Sequence, residues 1–302
     1  MKKSHLLLIP LAIFLIFILL VVIGTLTKDK TPDTNQNNIP PHINAGDADL
    51  SKGVSLSPIS YSGNDFTNFF TKAKEAGSLI SWAGNWEELK NKNSAPYVHM
   101  KLSSEYDYIP VIITSLPSSY SDDYVTTISN FAKENKPNYF GLGNEINTNY
   151  QESYSETFSK TYDEIKKVSP STQVFTIFQL EKMKQKEDWN LISNFEKADF
   201  IAFTTYPIII YQTPSKIPDN YYSEITQKTS KQIAFTEVGW QRKDNQQVEF
   251  IKKFSIISSS VNSKFKIWTF LYDQNTISPF NTMGLLQKNQ ETSESFEEWE
   301  KI

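Results

Sequence analysis

Two acidic residues each follow an apolar, β-type run of this chain. Glu145 lies in the segment Gly141–Asn147, and Glu237 lies in the segment Ala234–Trp240. Two carboxyl groups that a fold brings together, one protonated and one ionised, can cleave a glycosidic bond by acid and nucleophilic catalysis. At short distance they also push their pKa values apart, which leaves one of them as an acid near neutral pH. We therefore predict that Glu145 and Glu237 act as a pair, provided that the fold brings them together.

Eight apolar β-type runs follow one another from residue 52, and stretches with helical periodicity separate them. Several runs are apolar at successive positions, as in Val111-Ile112-Ile113, which is typical of parallel strands buried on both faces. The predicted strands are Gly53–Ser57, Ser78–Trp82, Ile109–Ser115, Tyr139–Asn144, Val174–Gln179, Phe200–Tyr206, Ile233–Val238 and Lys266–Tyr272. This order predicts a single α/β domain over residues 51–302, a (β/α)8 TIM barrel.

The stretches between the runs predict helices. The clearest are Asp65–Ala76, Asp122–Glu134, Glu152–Val168, Asn245–Val261 and Glu291–Ile302. Active sites of such barrels form at the carboxyl ends of the strands. Glu145 ends the fourth run and Glu237 lies near the end of the seventh, so both side chains are expected at the barrel mouth.

Four tryptophans fall close to the predicted strand ends. Trp82 and Trp86 flank a turn after the second run, Trp240 follows Glu237, and Trp268 lies on the eighth run. Sugars stack on aromatic rings, so these side chains are candidates for a substrate groove, with packing in the core as the alternative. On the last run Trp268 alternates with Phe270 and Tyr272, which predicts that the three side chains face the same way. Trp189 and Trp299 fall in helical stretches and are expected to pack in the outer core.

With these residues the chain resembles clan A of the retaining (β/α)8 glycoside hydrolases, which includes cellulases, mannanases and β-galactanases. Its families carry an Asn-Glu pair after strand four and a Glu after strand seven, which Asn144-Glu145 and Glu237 match over about residues 52–302. The resemblance implies that Glu145 is the acid/base, that Glu237 is the nucleophile and that Asn144 binds the sugar 2-hydroxyl. It also implies that Tyr206 lies beside the nucleophile and that Trp268 lies beneath the sugar.

The chain departs from the clan at two positions. Members often carry an Arg near the nucleophile and a His in the sugar site, whereas Arg242 lies after the seventh run and His99 after the second. The sequence therefore predicts retaining hydrolysis of a β-linked poly- or oligosaccharide and leaves three alternatives open. These are a non-catalytic carbohydrate-binding protein on the same barrel, a transglycosylase of surface glycans, and an unrelated barrel enzyme.

Composition excludes several other classes of protein. The net charge is −4, and Arg242 is the only arginine among 30 basic residues, which argues against a nucleic-acid partner. The sequence has no cysteine, which excludes disulfides, thiolate metal sites and a cysteine nucleophile. Its three histidines are scattered, and it has neither a phosphate-binding glycine loop nor a dinucleotide fingerprint. We expect no cofactor and no essential metal.

The first fifty residues predict where the domain works. Lys2 and Lys3 precede an uncharged apolar run from Leu6 to Ile23, about the length that crosses a bilayer. The positive flank predicts a short cytoplasmic segment over residues 1–5, a transmembrane signal-anchor over 6–27 and a disordered linker over 28–50. The domain would then face outward from the cell membrane, which becomes its partner. A cleaved signal peptide and secretion is the alternative.

Overall fold

The computed structural model describes residues 51–302, and the predicted signal-anchor and linker lie outside them. Eight parallel strands form a closed barrel in chain order, and β8 returns to pair with β1. The barrel strands are β1 Lys52–Ser55, β2 Leu79–Gly84, β3 Ile109–Thr114, β4 Tyr139–Leu142, β5 Gln173–Gln179, β6 Phe200–Thr205, β7 Ile233–Val238 and β8 Lys266–Trp268. The predicted barrel is therefore confirmed. Within residues 51–302 no helix is long and apolar enough to cross a membrane.

Helices occupy the connections between the strands. They are α1 Gly63–Ala76, α2 Ala95–Glu105, α3 Asp122–Asn135, α4 Ser153–Val168, α5 Leu180–Lys186, α6 Ile225–Lys228, α7 Gln246–Ser258 and α8 Glu294–Glu300. The last helix begins three residues later than the sequence predicts, because the Ser293 hydroxyl accepts a hydrogen bond from the Phe296 N–H and caps it there. After β8 the chain adds two short parallel strands, β9 Phe270–Tyr272 and β10 Gly284–Leu286.

Alternation along the strands divides the core into two parts. One cluster contains only residues of strands and strand ends, and it fills the barrel interior; within it Phe175 and Phe200 stack at 4.6 Å. The larger cluster lies between the strands and the surrounding helices. On β6, for example, Phe200 and Ala202 face the interior, whereas Ile201 and Phe203 face the helices. A side chain at a strand end therefore points into the mouth only if it has interior parity.

The first strand is tied to the end of the chain. The Lys52 ammonium donates to the carbonyls of Trp299, Glu300 and Ile302 at 3.1, 2.7 and 3.1 Å. The Trp299 indole N–H donates to the Ala76 carbonyl at 3.0 Å, and its ring is fully buried. Trp299 thus packs in the outer core, as the sequence predicts.

Candidate active site

A strained turn after β4 presents Glu145. The residue has φ 49° and ψ 44°, a left-handed conformation that few residues other than glycine adopt. The N–H and the hydroxyl of Thr148 both donate to the Glu145 carbonyl, at 2.9 and 2.8 Å, and hold the turn. Gly143 has φ 89°, and a Cβ there would come within 2.4 Å of Ile146, so the turn needs a glycine. Backbone strain of this kind is common at functional sites.

The turn is also fixed to the neighbouring strand. The side-chain amide of Asn147 donates to the Gln179 carbonyl at 3.0 Å and accepts from the Gln179 N–H at 2.8 Å. Asn147 therefore continues the β4–β5 pairing with its side chain. This leaves the Glu145 carboxyl buried at the barrel mouth, with the residue 8% exposed.

A β-bulge on β7 points Glu237 into the mouth. Phe203 on β6 is opposite Phe235, but Thr204 is opposite Glu237, so Thr236 is the extra residue. Strict alternation would give Glu237 the outward parity of Phe235, which packs in the outer core. The bulge reverses that parity and places Glu237, which is partly exposed, opposite the inward-facing Thr204.

Thr204 contacts the Glu145 carboxylate and lies opposite Glu237 in the sheet. Its hydroxyl donates to Glu145 Oε1 at 2.6 Å, and its backbone is in register with Glu237. β6 therefore lies between the two glutamates, and the fold brings together the pair that the sequence singles out. They are close enough that the charge of Glu237 contributes to the pKa of Glu145.

The two carboxyl groups have different surroundings, and these surroundings act differently on their pKa values. Burial, and next the charge of Glu237, raise the pKa of Glu145 to about 8, although the hydrogen bond from Thr204 opposes the rise. Burial also raises the pKa of Glu237, but hydrogen bonds from Tyr206 and Asn144 oppose it. Glu145 therefore holds a proton near neutral pH, while Glu237 has two hydrogen-bond donors that favour its ionised form.

Tyr206 lies beside Glu237. Its hydroxyl donates to Glu237 Oε2 and lies 3.0 Å from the Thr269 hydroxyl. Since Tyr206 has a single hydroxyl proton, Thr269 donates to it in turn. Burial and the nearby charges of Glu237 and Glu145 raise the pKa of Tyr206 well above its usual value, so it remains a neutral donor.

Asn144 leaves one polar atom unused. Its side chain forms the hydrogen bond that lowers the pKa of Glu237. Its Oδ1 atom is buried and has no hydrogen-bond partner within residues 51–302. A buried carbonyl oxygen of this kind is costly unless a ligand or water completes its hydrogen bonding.

A third carboxylate, which sequence reasoning missed, lies behind the pair. Glu181 at the start of α5 is fully buried and accepts from Gln179 Nε2 at 2.8 Å, Thr205 Oγ1 at 2.8 Å and the Tyr221 hydroxyl at 2.9 Å. Burial raises the pKa of Glu181, and hydrogen bonds from the Tyr206 N–H and from the Thr205 and Tyr221 hydroxyls oppose the rise. Its charge adds to the rise in the pKa of Glu145. The only signal in the sequence is a pair of polar residues, Gln179 and Glu181, on either side of Leu180 at the end of an apolar run.

The structure corrects the predicted position of Trp268. Ile267 packs in the barrel interior and Thr269 reaches Tyr206, so alternation turns Trp268 outward. The ring is fully buried, 5.4 Å from the Trp299 ring, and its N–H donates to the Met283 carbonyl at 2.7 Å. Trp268 therefore does not lie beneath a sugar.

The expectation that Trp268, Phe270 and Tyr272 face the same way is also wrong. The strand breaks at Thr269, and Phe270 packs with Tyr206 and Phe280 in a separate cluster at the mouth. Tyr272, like Trp268, belongs to the outer core.

The structure also places the three other tryptophans that were predicted to line a groove. Trp240 is fully buried and stacks on Phe250 of α7 at 5.1 Å, so its assignment to a groove is also wrong. Trp82 is 6% exposed and packs in the outer core, so its assignment to a groove is wrong as well, and the alternative of core packing applies. Trp86 is partly exposed and meets the Tyr124 ring edge-on at 5.4 Å.

Arg242 and His99, which were compared with the arginine and histidine of the clan, each bind another part of the protein. Arg242 forms a bidentate ion pair with Asp273, in which Nη1 donates to Oδ2 at 3.0 Å and Nη2 donates to Oδ1 at 3.1 Å. His99 is buried in α2 with Nε2 3.1 Å from the Ile80 carbonyl oxygen, and burial lowers its pKa to about 4. Among residues 51–302, no three His, Asp or Glu side chains gather as they would around a metal ion.

The chain is similar to known proteins in its structure but not in its sequence. No protein-family model and no curated protein matches the sequence. A β-D-glucuronidase from Dictyoglomus thermophilum superposes with a TM-score of 0.60 and 14% identity, over 83% of this chain and 50% of that one. The GH53 catalytic domain of Ignisphaera aggregans gives 0.56 and 13%, over 87% and 98%. A GH128 endo-β-1,3-glucanase from Amycolatopsis mediterranei, in complex with laminaritriose, gives 0.52 and 12%, over 84% and 99%.

These likenesses concern the fold. The chain spans about half the length of the glucuronidase and nearly all of the other two proteins. All three names describe glycoside hydrolases, so the resemblance inferred from the sequence is confirmed at the level of the barrel.

Proposed function

We propose that the protein is a retaining glycoside hydrolase that acts on a β-linked poly- or oligosaccharide. The observation that carries the proposal is the β7 bulge, which points Glu237 at Thr204 and so toward Glu145. Double displacement needs a protonated acid, which the raised pKa of Glu145 supports, and an ionised nucleophile, which the hydrogen bonds from Tyr206 and Asn144 favour at Glu237.

The first step joins the sugar to the protein. The Glu237 carboxylate attacks the anomeric carbon while Glu145 gives its proton to the glycosidic oxygen, and the bond between that carbon and oxygen breaks. The leaving sugar departs with the proton, and the remaining sugar is an ester of Glu237. Since esterification removes the charge of Glu237, one cause of the high pKa of Glu145 disappears.

The second step releases the sugar. Glu145, now ionised and of lower pKa, takes a proton from water, and the water oxygen attacks the anomeric carbon as Glu237 leaves. Glu145 is then protonated and Glu237 ionised, as at the start. One water molecule is consumed for each bond cut.

Two neighbours support these steps. The unpartnered Asn144 Oδ1 atom is placed to accept a hydrogen bond from the sugar 2-hydroxyl, a contact that strengthens in the transition state. Tyr206 stabilises the charge of Glu237 and so keeps the nucleophile ready. A β-linked substrate is supported by the names of two of the similar structures, a β-D-glucuronidase and an endo-β-1,3-glucanase.

The site of action that we propose is the outer face of the cell membrane. Lys2 and Lys3 before an apolar run favour an uncleaved anchor with the barrel outside, and secretion is the alternative. Protease treatment of intact cells tests this, since an outward barrel is degraded while the cytoplasm stays protected. The mass of the membrane-bound chain shows whether residues 6–27 are retained.

Hydrolysis tests the proposal directly. The full chain in detergent is assayed on aryl β-glycosides and on β-glucan, mannan, galactan and xylan, beside Glu145→Gln and Glu237→Gln. We expect each variant to lose more than about a thousandfold in kcat/KM on the polysaccharide that is cleaved. Glu105→Gln, an exposed residue at the end of α2, is the matched control and should keep full activity. Activity that survives both substitutions contradicts the proposal, and glycan binding without cleavage by the wild type replaces it with a binding function.

A further inference from the structure

A shallow, open cavity of about 690 Å³, lined mainly by residues with polar side chains, is found beside the barrel mouth. It lies between the segment 273–277 after β9 and the segment 287–289 after β10, with Asn281 also on its wall. The Gln274 side-chain amide donates to the carbonyls of Ser57 and Pro58, which follow β1. The cavity is therefore at the carboxyl ends of the strands, the same end as the two glutamates. Its volume is within the range of small-molecule sites, roughly 300–1,000 Å³.

The lining selects one class of ligand. Five of its nine residues carry side-chain amides, namely Gln274, Asn275, Asn281, Gln287 and Asn289. An amide offers a donor and an acceptor side by side, which matches the neighbouring hydroxyls of a sugar. The charge of Asp273 is neutralised by Arg242, and Lys288 donates to Asn275 Oδ1 at 3.1 Å. The wall therefore lacks the cation cluster that phosphate or nucleic acid requires and suits a neutral polyhydroxylated ligand.

Several polar groups of the wall are free to bind. The side chains of Asn281, Gln287 and Asn289 form no hydrogen bond to another part of the described chain. Thr276 Oγ1 is buried and unpartnered within the same residues. A sugar could therefore bind without displacing an internal hydrogen bond from these four side chains.

The wall is held in place before any ligand arrives. Arg242 binds Asp273 with two hydrogen bonds and also donates to the Gly284 carbonyl at 2.7 Å. The Gly284 N–H donates to Asp273 Oδ1 at 3.0 Å. These bonds tie the loop after β7 to both ends of the loop 273–284, and a fixed wall lowers the entropy lost on binding.

One turn connects the cavity to the catalytic pair. Asn281 lines the cavity, and Phe280 before it packs edge-on against the Tyr206 ring at 5.2 Å. Tyr206 in turn donates to Glu237. A glycan chain bound across the mouth would reach both places.

We propose that this cavity is a distal subsite, which binds a neutral sugar residue of the glycan away from the bond that is cut. The inference rests on the proposed function, because it takes the ligand to be part of the same substrate chain. It predicts that chain length, rather than the sugar at the cleavage site alone, determines affinity.

Binding is measured by NMR on the full-length Glu237→Gln chain in detergent, by following the side-chain amide signals of Asn281 and Gln287 and, in the variant that lacks both, the amide signal of Asn289. The titrants are neutral β-linked gluco-, manno-, galacto- and xylo-tetrasaccharides, and a tetra-uronate. We expect at least one neutral tetrasaccharide to shift both signals, and Asn281→Ala with Gln287→Ala to weaken its binding about tenfold. Gln227→Ala, an exposed amide on α6, is the control and should bind normally. No shift with any neutral tetrasaccharide, tighter binding of the tetra-uronate, or unchanged affinity in the double variant overturns the proposal.

Kinetics separate this inference from the proposed function. In the otherwise wild-type chain the double substitution should lower kcat/KM about tenfold for the tetrasaccharide and leave an aryl monoglycoside unaffected, because the latter does not reach the cavity. An equal loss on both substrates, or no loss on the tetrasaccharide, overturns the subsite. Full activity of Glu145→Gln and Glu237→Gln would instead overturn the proposed function, while the NMR shifts would still report on the cavity.

Discussion

The buried carboxyl of Glu145 makes the stability of the fold depend on pH. Its pKa rises from 4.5 to about 8 on folding, so the folded chain keeps a proton that the unfolded chain releases. The stabilisation of the folded state by this proton is complete below about pH 4.5 and is lost as the pH rises through about 8. At 1.36 kcal/mol per pH unit, the difference between the two pKa values corresponds to at most about 5 kcal/mol in the free energy of unfolding.

Replacing Glu145 by Gln removes this dependence. The glutamine oxygen still accepts the hydrogen bond from Thr204, but the side chain cannot ionise. We expect a similar free energy of unfolding for the variant and the wild type at pH 5, and a variant more stable by about 2–5 kcal/mol at pH 8.5.

Urea unfolding of the full chain in detergent, followed by circular dichroism between pH 5 and 8.5, measures the difference. Glu105→Gln, at an exposed site, should follow the wild type at every pH. If the Glu145→Gln and wild-type curves run parallel over this range, Glu145 does not hold a proton in the folded state and the reasoning fails.

Three further substitutions have distinct expected outcomes. Tyr206→Phe removes a hydrogen bond that lowers the pKa of Glu237, so the acidic limb of kcat/KM against pH should move to higher pH; an unmoved limb would contradict the role of Tyr206. Glu181→Gln removes a charge that raises the pKa of Glu145, so the alkaline limb should move to lower pH, and a shift to higher pH would contradict this. Trp268→Phe should lower the free energy of unfolding by about 1–3 kcal/mol and leave KM unchanged, because the ring is buried behind the barrel; a raised KM with unchanged stability would return Trp268 to the sugar site.

The barrel could be predicted because its strands are buried on both faces. Runs such as Val111-Ile112-Ile113 are apolar at successive positions, and only a parallel sheet covered by helices buries both sides. Glu145 and Glu237 could be predicted to lie together at the barrel mouth because each lies at or near the end of such a run. Element order and residue type were sufficient for these conclusions.

Side-chain direction at the strand ends was harder to predict. The bulge at Thr236 has no marker such as glycine or proline, yet it decides whether Glu237 points inward. Trp268 was misplaced because the resemblance to the clan assigned it to the sugar site by its position on the eighth strand, whereas its parity turns it outward. The apolar residue Ile267 before it, with interior parity, was the available signal.

The polar residues that position the pair were missed for a related reason. Thr204 and Glu181 carry no chemistry that stands out in the sequence, and their roles depend on contacts across strands. Such contacts form only when the register of β6 with its neighbours is set.

Trapping the covalent intermediate tests the two-step mechanism most directly. The full chain in detergent is treated with activated 2-deoxy-2-fluoro β-glycosides of glucose, mannose, galactose and xylose, digested with pepsin and analysed by mass spectrometry. Retaining cleavage predicts that one of the reagents adds a fluorosugar to the Glu237 side chain, and that Glu237→Gln stays unlabelled. A fluorosugar on another residue, or turnover of the reagent with inverted anomeric configuration, would contradict it.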